Sequence, residues 1–475
     1  MKETQRERGG VPEGRGDIIR HLAADCKVGV QTRSIESTRQ ETYGMKNVLF
    51  SLIFFGAIAS AQNPGEHWMR FKTPEQAGWS SEQLDRVCRN SNANSIVLLH
   101  KGKMVYTYGD YCRRIKCHSM RKTFLSALYG LYIHRGLIDT AATIGSLGIT
   151  DMTPLTTSEK EARVSDLLTA RSGIYLPSGQ ETVDMAKSRP PRGSHPHGTF
   201  WYYNNWDFNA LGTIFRKQTH DDIFEAFKKG IADPLHMEDF RLMDGVYDVD
   251  SLHASHPGYV FKMSARDGAR FGELFLQNGR WDAEQVIPQE WIEQSTATHT
   301  ATTTPGLSYG YLWWIAEDFQ GLKMYYASGV NGQRICVIPS SEIVVVVNVD
   351  TYRGKYIRDV DSLIARVAVV SRTEKTISNP EFVPLEEHTA VATIELSPEE
   401  QHRYVGRYSV GDTTLTISET SDGLIVEGLH YSYKFSLLPT GNHRFYIEDI
   451  DLELTLGIDG SGMPANPRIQ RRPGG

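Results

Sequence analysis

Ser119-Met-Arg-Lys122 places a serine and a lysine three residues apart, just ahead of Phe124, Leu125, Leu128, Leu131 and Tyr132. The apolar spacing predicts a helix over 119–136 with this tetrad at its head. A serine in a first helical turn lies among unpaired backbone N–H groups, and a lysine one turn along shares its face. A buried lysine of lowered pKa can accept the hydroxyl proton that a free serine withholds. Alone, the tetrad reads more readily as an N-cap serine beside a solvated lysine, since chance matches are expected in a chain this long.

Two further stretches add chemistry. Tyr203-Asn204-Asn205 follows the run Gly198-Thr-Phe-Trp201 and leads into Trp206-Asp-Phe-Asn-Ala-Leu. A loop tyrosine beside the serine relays a proton to a leaving group, and the Asn205 amide orients the lysine or a substrate carbonyl. The alternative is aromatic packing, the part expected of Trp201, Tyr202 and Trp206. Ala327-Ser328-Gly329-Val330-Asn331 then enters a strand over 334–339. An edge backbone N–H there completes an oxyanion hole. The bland reading is a hairpin turn.

The three stretches resemble the S-x-x-K, Y-x-N and K-T-G boxes of the β-lactamase-related serine hydrolases. That group includes class C β-lactamases, D-Ala-D-Ala peptidases, lactamase-fold esterases and 6-aminohexanoate-dimer hydrolases. The runs His118-Ser-Met-Arg-Lys-Thr-Phe-Leu and Asp166-Leu-Leu-Thr-Ala-Arg-Ser-Gly173 fit the same group, in order, across roughly residues 79–370. The resemblance implies Ser119 as acylated nucleophile, Lys122 as its base and Tyr203 as second proton carrier. Asn205, Ser328 and Gly329 become supporting residues, and the Ser119 and Val330 N–H groups the oxyanion hole. Tyr175 and Asn331 are its substrate-binding candidates. Ala327 departs from the pattern, because a lysine or histidine there helps hold a substrate carboxylate. The departure favours a small ester or amide, as in the esterases and dimer hydrolases, over a D-alanyl peptide or β-lactam. A catalytically silent ligand-binding module is the alternative of another class.

These boxes need elements to carry them. The stretch Trp79-Ser-Ser-Glu82 predicts an N-cap ahead of a helix carrying Leu84, Val87 and Cys88, and 95–108 reads as a hairpin across Lys101-Gly-Lys. Residues 140–320 are rich in helices and loops, including an amphipathic stretch over 264–276. Strands return over 323–327, 334–339 and 342–350, followed by a helix over 360–370. The order predicts an α+β fold in which an antiparallel sheet, its N- and C-terminal parts meeting, receives an inserted helical domain. The expected hydrolase domain is 62–375, followed by a linker over 376–392. Short strands separated by Gly, Asp and Asn turns predict a small all-β barrel or sandwich over 393–470, then a tail over 471–475.

At the other end, Lys46, the apolar run Val48 to Ile58 and Ala59-Ser-Ala61 read as a signal peptide over 45–61. Residues 1–44 are then an upstream extension and Met45 the expected start. Export to the periplasm or medium follows, with no integral membrane span in the mature chain. The chain has 475 residues and a formal net charge of −6, with Lys+Arg 51 against Asp+Glu 57. That balance offers no basic field for nucleic acid. His195 and His197 form no metal-ligand pattern, and no glycine-rich phosphate loop occurs. No metal or cofactor is expected, and the expected partner is a small-molecule substrate. Five cysteines are too few for a disulfide scaffold. The spacing of Cys112 and Cys117 does not settle whether they pair.

Overall fold

The computed structural model describes residues 64–250, 254–373, 378–386, 391–420, 423–429 and 434–471. The expected extension over 1–44, the signal peptide over 45–61 and residues 472–475 of the expected tail lie outside the described residues. Ten strands form the main sheet: β1 (Met69–Phe71), β2 (Ser95–His100), β3 (Lys103–Gly109), β4 (Thr300–Ala301), β5 (Leu307–Tyr309), β6 (Trp314–Phe319), β7 (Leu322–Gly329), β8 (Gln333–Ile338), β9 (Ile343–Asn348) and β10 (Phe382–Pro384). Their order is β10-β1-β3-β2-β9-β8-β7-β6-β5-β4.

The two ends of the hydrolase segment meet where β2 pairs β9, from His100 opposite Ile343 to Ser95 opposite Asn348. Residues on these strands alternate between two cores, as a two-residue repeat requires. Val97, Leu99, Val344 and Val346 face the helical body. Ile96, Leu98, Val345 and Val347 face the helices Ser81–Arg89 and Val360–Ala365. Burial on both sides explains why β9 is an unbroken β-branched run rather than an alternating one.

One pairing departs from the antiparallel expectation. β1 runs parallel to β3 through Arg70 and Met104, so the sheet is mixed. A helix and β2 lie between them in the chain, which gives the backbone the crossover that a parallel neighbour needs. β10 falls within the expected linker and pairs antiparallel with β1.

Helix Arg121–His134 crosses the middle of the helical body, entered through the tight turn His118–Met120. Every residue from Arg121 to Tyr132 is buried, so the helix is enclosed all round. Ser80 caps helix Ser81–Arg89, within the expected cap signal, and Ser264 caps helix Ala265–Leu276. A small three-stranded sheet pairs Ile115–Lys116 with Gly258–Met263, and Gly258–Met263 with Gly245–Asp248.

The C-terminal unit is an antiparallel meander of seven strands between Gly406 and Arg471. Its first and last strands lie against each other, giving a nearly closed barrel. Gly406–Val410 and Pro464–Arg471 are the first and last of these strands, and Arg471, expected in the tail, pairs with Leu452. Cys88, Cys112, Cys117 and Cys336 are buried free thiols. Among the described residues, no helix is long and apolar enough to cross a membrane.

Candidate active site

Ser119 sits in the tight turn that opens the central helix, and Lys122 lies one turn in. Lys122 Nζ donates to Ser119 Oγ at 2.7 Å and to the Tyr203 hydroxyl at 2.7 Å. The lysine is 2% exposed and lies 4.4 Å from the Tyr203 ring and 4.5 Å from the Phe208 ring. Burial drives its pKa well below the usual lysine value, and the charge of neighbouring Arg121 pushes the same way. Among the described residues, no carboxylate bonds to it to restore the proton. Tyr203 is displaced oppositely: burial raises its hydroxyl to about 12, against the pull of Ser119, Arg121 and Arg334. The site therefore holds a base and an acid, each moved toward its neutral form.

Tyr203 is placed by the residues after it. Asn204 caps helix Asn205–Thr219 through the Trp206 N–H and donates to Ile174 O at 2.7 Å and Asp207 Oδ1 at 2.9 Å. Buried Asp207 also accepts from the Ser172 hydroxyl. Burial raises the Asp207 carboxyl well above its usual range. The Ser172 and Tyr203 loops are thus locked to one another. Phe208 and Trp314 flank the Tyr203 ring at 4.9 and 5.4 Å.

The third stretch arrives on β7, whose last residue is Gly329. A Cβ on Gly329 would lie 2.7 Å from the Cys117 carbonyl oxygen and 3.4 Å from Met120 Cγ. The residue is glycine because the strand end runs directly against the Ser119 turn. Val330, 45% exposed, is the first residue beyond the strand. Ser328 pairs with Arg334 on β8, and Arg334 Nη1 donates to Ser328 Oγ at 2.8 Å. Ala327 itself is fully buried in the core.

Three expected residues have partners of their own. Asn205 donates to Gln180 O at 2.7 Å, and its Oδ1 is buried without a partner, so the amide holds the 180 loop rather than the lysine. Asn331 donates to Lys355 O at 2.9 Å, anchoring a loop. Tyr175 packs edge-on to His195 and Tyr202, and its buried hydroxyl has no partner. Two cations went unnoticed in the sequence. Arg121 donates to Asn209 Oδ1 at 2.8 Å and stacks over the Tyr259 ring at 4.1 Å. Arg334 is legible only once the β7–β8 register puts it opposite Ser328. Among the described residues, no group of three or more His, Cys, Asp or Glu could hold a metal ion.

The Beta-lactamase family model matches residues 98–368, a span holding all three stretches. The chain belongs to the Beta-lactamase family. The span takes in the main sheet from late β2 to β9 and the helical body, and the barrel lies beyond it. Among solved structures, the chain is similar to a Bacillus anthracis protein described as a 6-aminohexanoate-dimer hydrolase, with 20% identity, TM-score 0.49 and coverage of 60% of this chain and 80% of that one. It is similar to an octameric penicillin-binding protein homologue from Pyrococcus abyssi, with 18% identity, TM-score 0.45 and coverage of 81% and 92%. A D-stereospecific amidohydrolase from a Streptomyces species gives 14% identity, TM-score 0.45 and coverage of 61% and 99%. No curated protein matches the chain. Family membership supports serine-hydrolase chemistry in general terms.

Proposed function

We propose that this β-lactamase-family protein is a serine hydrolase that forms an acyl-enzyme on a small ester or amide. The observation that carries this reading is the buried Lys122 amine within 2.7 Å of both Ser119 Oγ and the Tyr203 hydroxyl. In the neutral form that burial favours, the Lys122 lone pair accepts the serine proton as Oγ attacks the carbonyl carbon. The Ser119 and Val330 N–H groups receive the developing oxyanion, and Ser328 and Gly329 set the edge that presents Val330. Collapse breaks the bond to the alkoxide or amine. Tyr203, still protonated at neutral pH, passes its proton to that leaving group and is reprotonated from Lys122. Water then repeats the sequence on the acyl ester, releasing the acid and restoring the serine. Tyr175 is offered as a substrate-side wall.

A second reading draws on Arg334. Ala327 leaves the third stretch without its own cation, but the Arg334 guanidinium contacts Ser328 Oγ from the adjacent strand. A substrate carboxylate would find a positive partner there, which favours D-alanyl peptides or β-lactams. A fluorophosphonate probe followed by intact-mass and peptide analysis, with penicillin alongside, tests both. One probe adduct on Ser119, absent in Ser119→Ala, is expected. A stable penicilloyl adduct on Ser119 would favour the second reading. No adduct from either reagent on folded protein would leave the ligand-binding module.

A further inference from the structure

The segment that delivers Ser119 is held from outside the family-matched region. Arg113, six residues upstream, donates from Nε to Glu448 O at 2.8 Å and from Nη2 to the Asp449 carbonyl. The same guanidinium pairs with Asp350 at 2.9 Å, both side chains buried. Arg114 pairs with Glu448 and, at 3.1 Å, with Asp244. Lys262 lies opposite Lys116 on the strand paired with Ile115–Lys116, and it meets Asp449 Oδ2 at 2.7 Å. Glu448, Asp449 and Ile450 form one turn of the barrel, so a single turn grips the strand leading to the nucleophile.

A second turn joins the same two parts. Thr351–Arg353 follows β9, and its three residues face three ways. Thr351 Oγ1 meets His118 Nε2 at 2.8 Å, and His118 immediately precedes Ser119. Tyr352 is 7% exposed and belongs to the barrel core, edge-on to Phe435 at 5.2 Å. Arg353 donates to Ile450 O and pairs with Asp350 at 3.4 Å. His118 has a φ of +47°, a left-handed conformation uncommon for a non-glycine residue and steadied by constraint from its surroundings. The barrel-anchored Thr351 supplies one such constraint.

We propose that the C-terminal barrel is a positioning element of the active site: its Glu448–Ile450 turn, with the Thr351–Arg353 turn seated in it, fixes segment 113–118 so that Ser119 stays within reach of Lys122. This rests on Ser119 being the nucleophile. Thr351 and Glu448 are positioning residues, acting through His118 and Arg114 rather than on substrate.

The test uses the full-length protein. Fluorophosphonate labelling rates and steady-state kinetics on an activated ester are measured for wild type, Thr351→Val, Thr351→Ser and Glu448→Gln, with thermal unfolding of each. Thr351→Val is expected to lower kcat and the labelling rate by about tenfold to a hundredfold with KM little changed, because a small displacement of the attacking atom is costly. Thr351→Ser, which restores the hydroxyl, is expected to recover the wild-type rate. Glu448→Gln keeps its shape beside Arg114 and is expected to lower kcat in the same sense. Wild-type rates in both folded Thr351→Val and Glu448→Gln overturn the proposal, as does a loss that Thr351→Ser fails to rescue. If wild type itself is not labelled at Ser119, the nucleophile reading falls first and takes this proposal with it.

Discussion

Lys122 is the residue on which the chemistry turns, because a charged amine at 2% exposure has, among the described residues, no bonded carboxylate to offset its desolvation. Its folded pKa is depressed, so between that value and the usual 10.5 the unfolded chain binds a proton that the folded protein does not. The resulting destabilisation is full at and below the folded pKa, declines as pH rises from there toward 10.5, and is gone above it. Lys122→Met is therefore expected to lose activity by about 10³-fold while matching or exceeding wild-type stability at neutral pH. Denaturant titrations across pH check this, and the advantage should shrink toward alkaline pH. A Met variant markedly less stable at pH 7 would mean that the amine is held charged. The pH dependence of kcat/KM should rise with Lys122 deprotonation at a midpoint well below the ordinary lysine value. Activity should then hold until Tyr203, at about 12, begins to ionise. Tyr203→Phe should depress amide hydrolysis more than hydrolysis of an activated ester, whose leaving group needs no proton. Equal losses on both substrates would argue against proton donation by Tyr203.

At the scale of elements, the site exists because a helix start, a helix-capping loop and a strand end converge. The approach of β7 to the Ser119 turn leaves no room at Gly329, where a methyl group would sit 2.7 Å from the Cys117 carbonyl. Gly329→Ala is expected to cut kcat by about a hundredfold with a smaller effect on Tm, since it separates two catalytic elements rather than opening the core. A crystal structure of the variant should show β7 displaced from the turn, and an unmoved strand would contradict the packing argument. The three stretches were legible in the sequence because each is local, its residues adjacent or one turn apart. Asn205 and Asn331 were placed by the same local logic, yet their amides bond Gln180 and Lys355, partners that only the folded loops bring near. Arg334 was hidden for a related reason, since cross-strand neighbours depend on register. β10 escaped notice because three residues between prolines and glutamates carry no strand period of their own.

In the whole molecule, the barrel and the hydrolase share buried charge and a buried side chain. Tyr352 leaves the main sheet and enters the barrel core, and Arg113 with Asp350 is sealed beneath the Glu448–Ile450 turn. The sequence announced two consecutive folding units, and the strands of both were largely visible, but nothing in local pattern pairs Arg113 with residues more than three hundred positions away. Because removing one partner of such a pair strands the other in a dry interior, the hydrolase segment and barrel are expected to unfold in one cooperative calorimetric transition. Two well-separated transitions would contradict that coupling. The central claim, acylation of Ser119 with Lys122 as base, meets its most direct test in rapid-quench mass spectrometry of the full-length protein turning over p-nitrophenyl acetate. One acetyl group per chain on the Ser119 peptide, formed at the rate of the p-nitrophenol burst and missing in Ser119→Ala, is the expected result. Turnover without an adduct, persisting in Ser119→Ala, would contradict it.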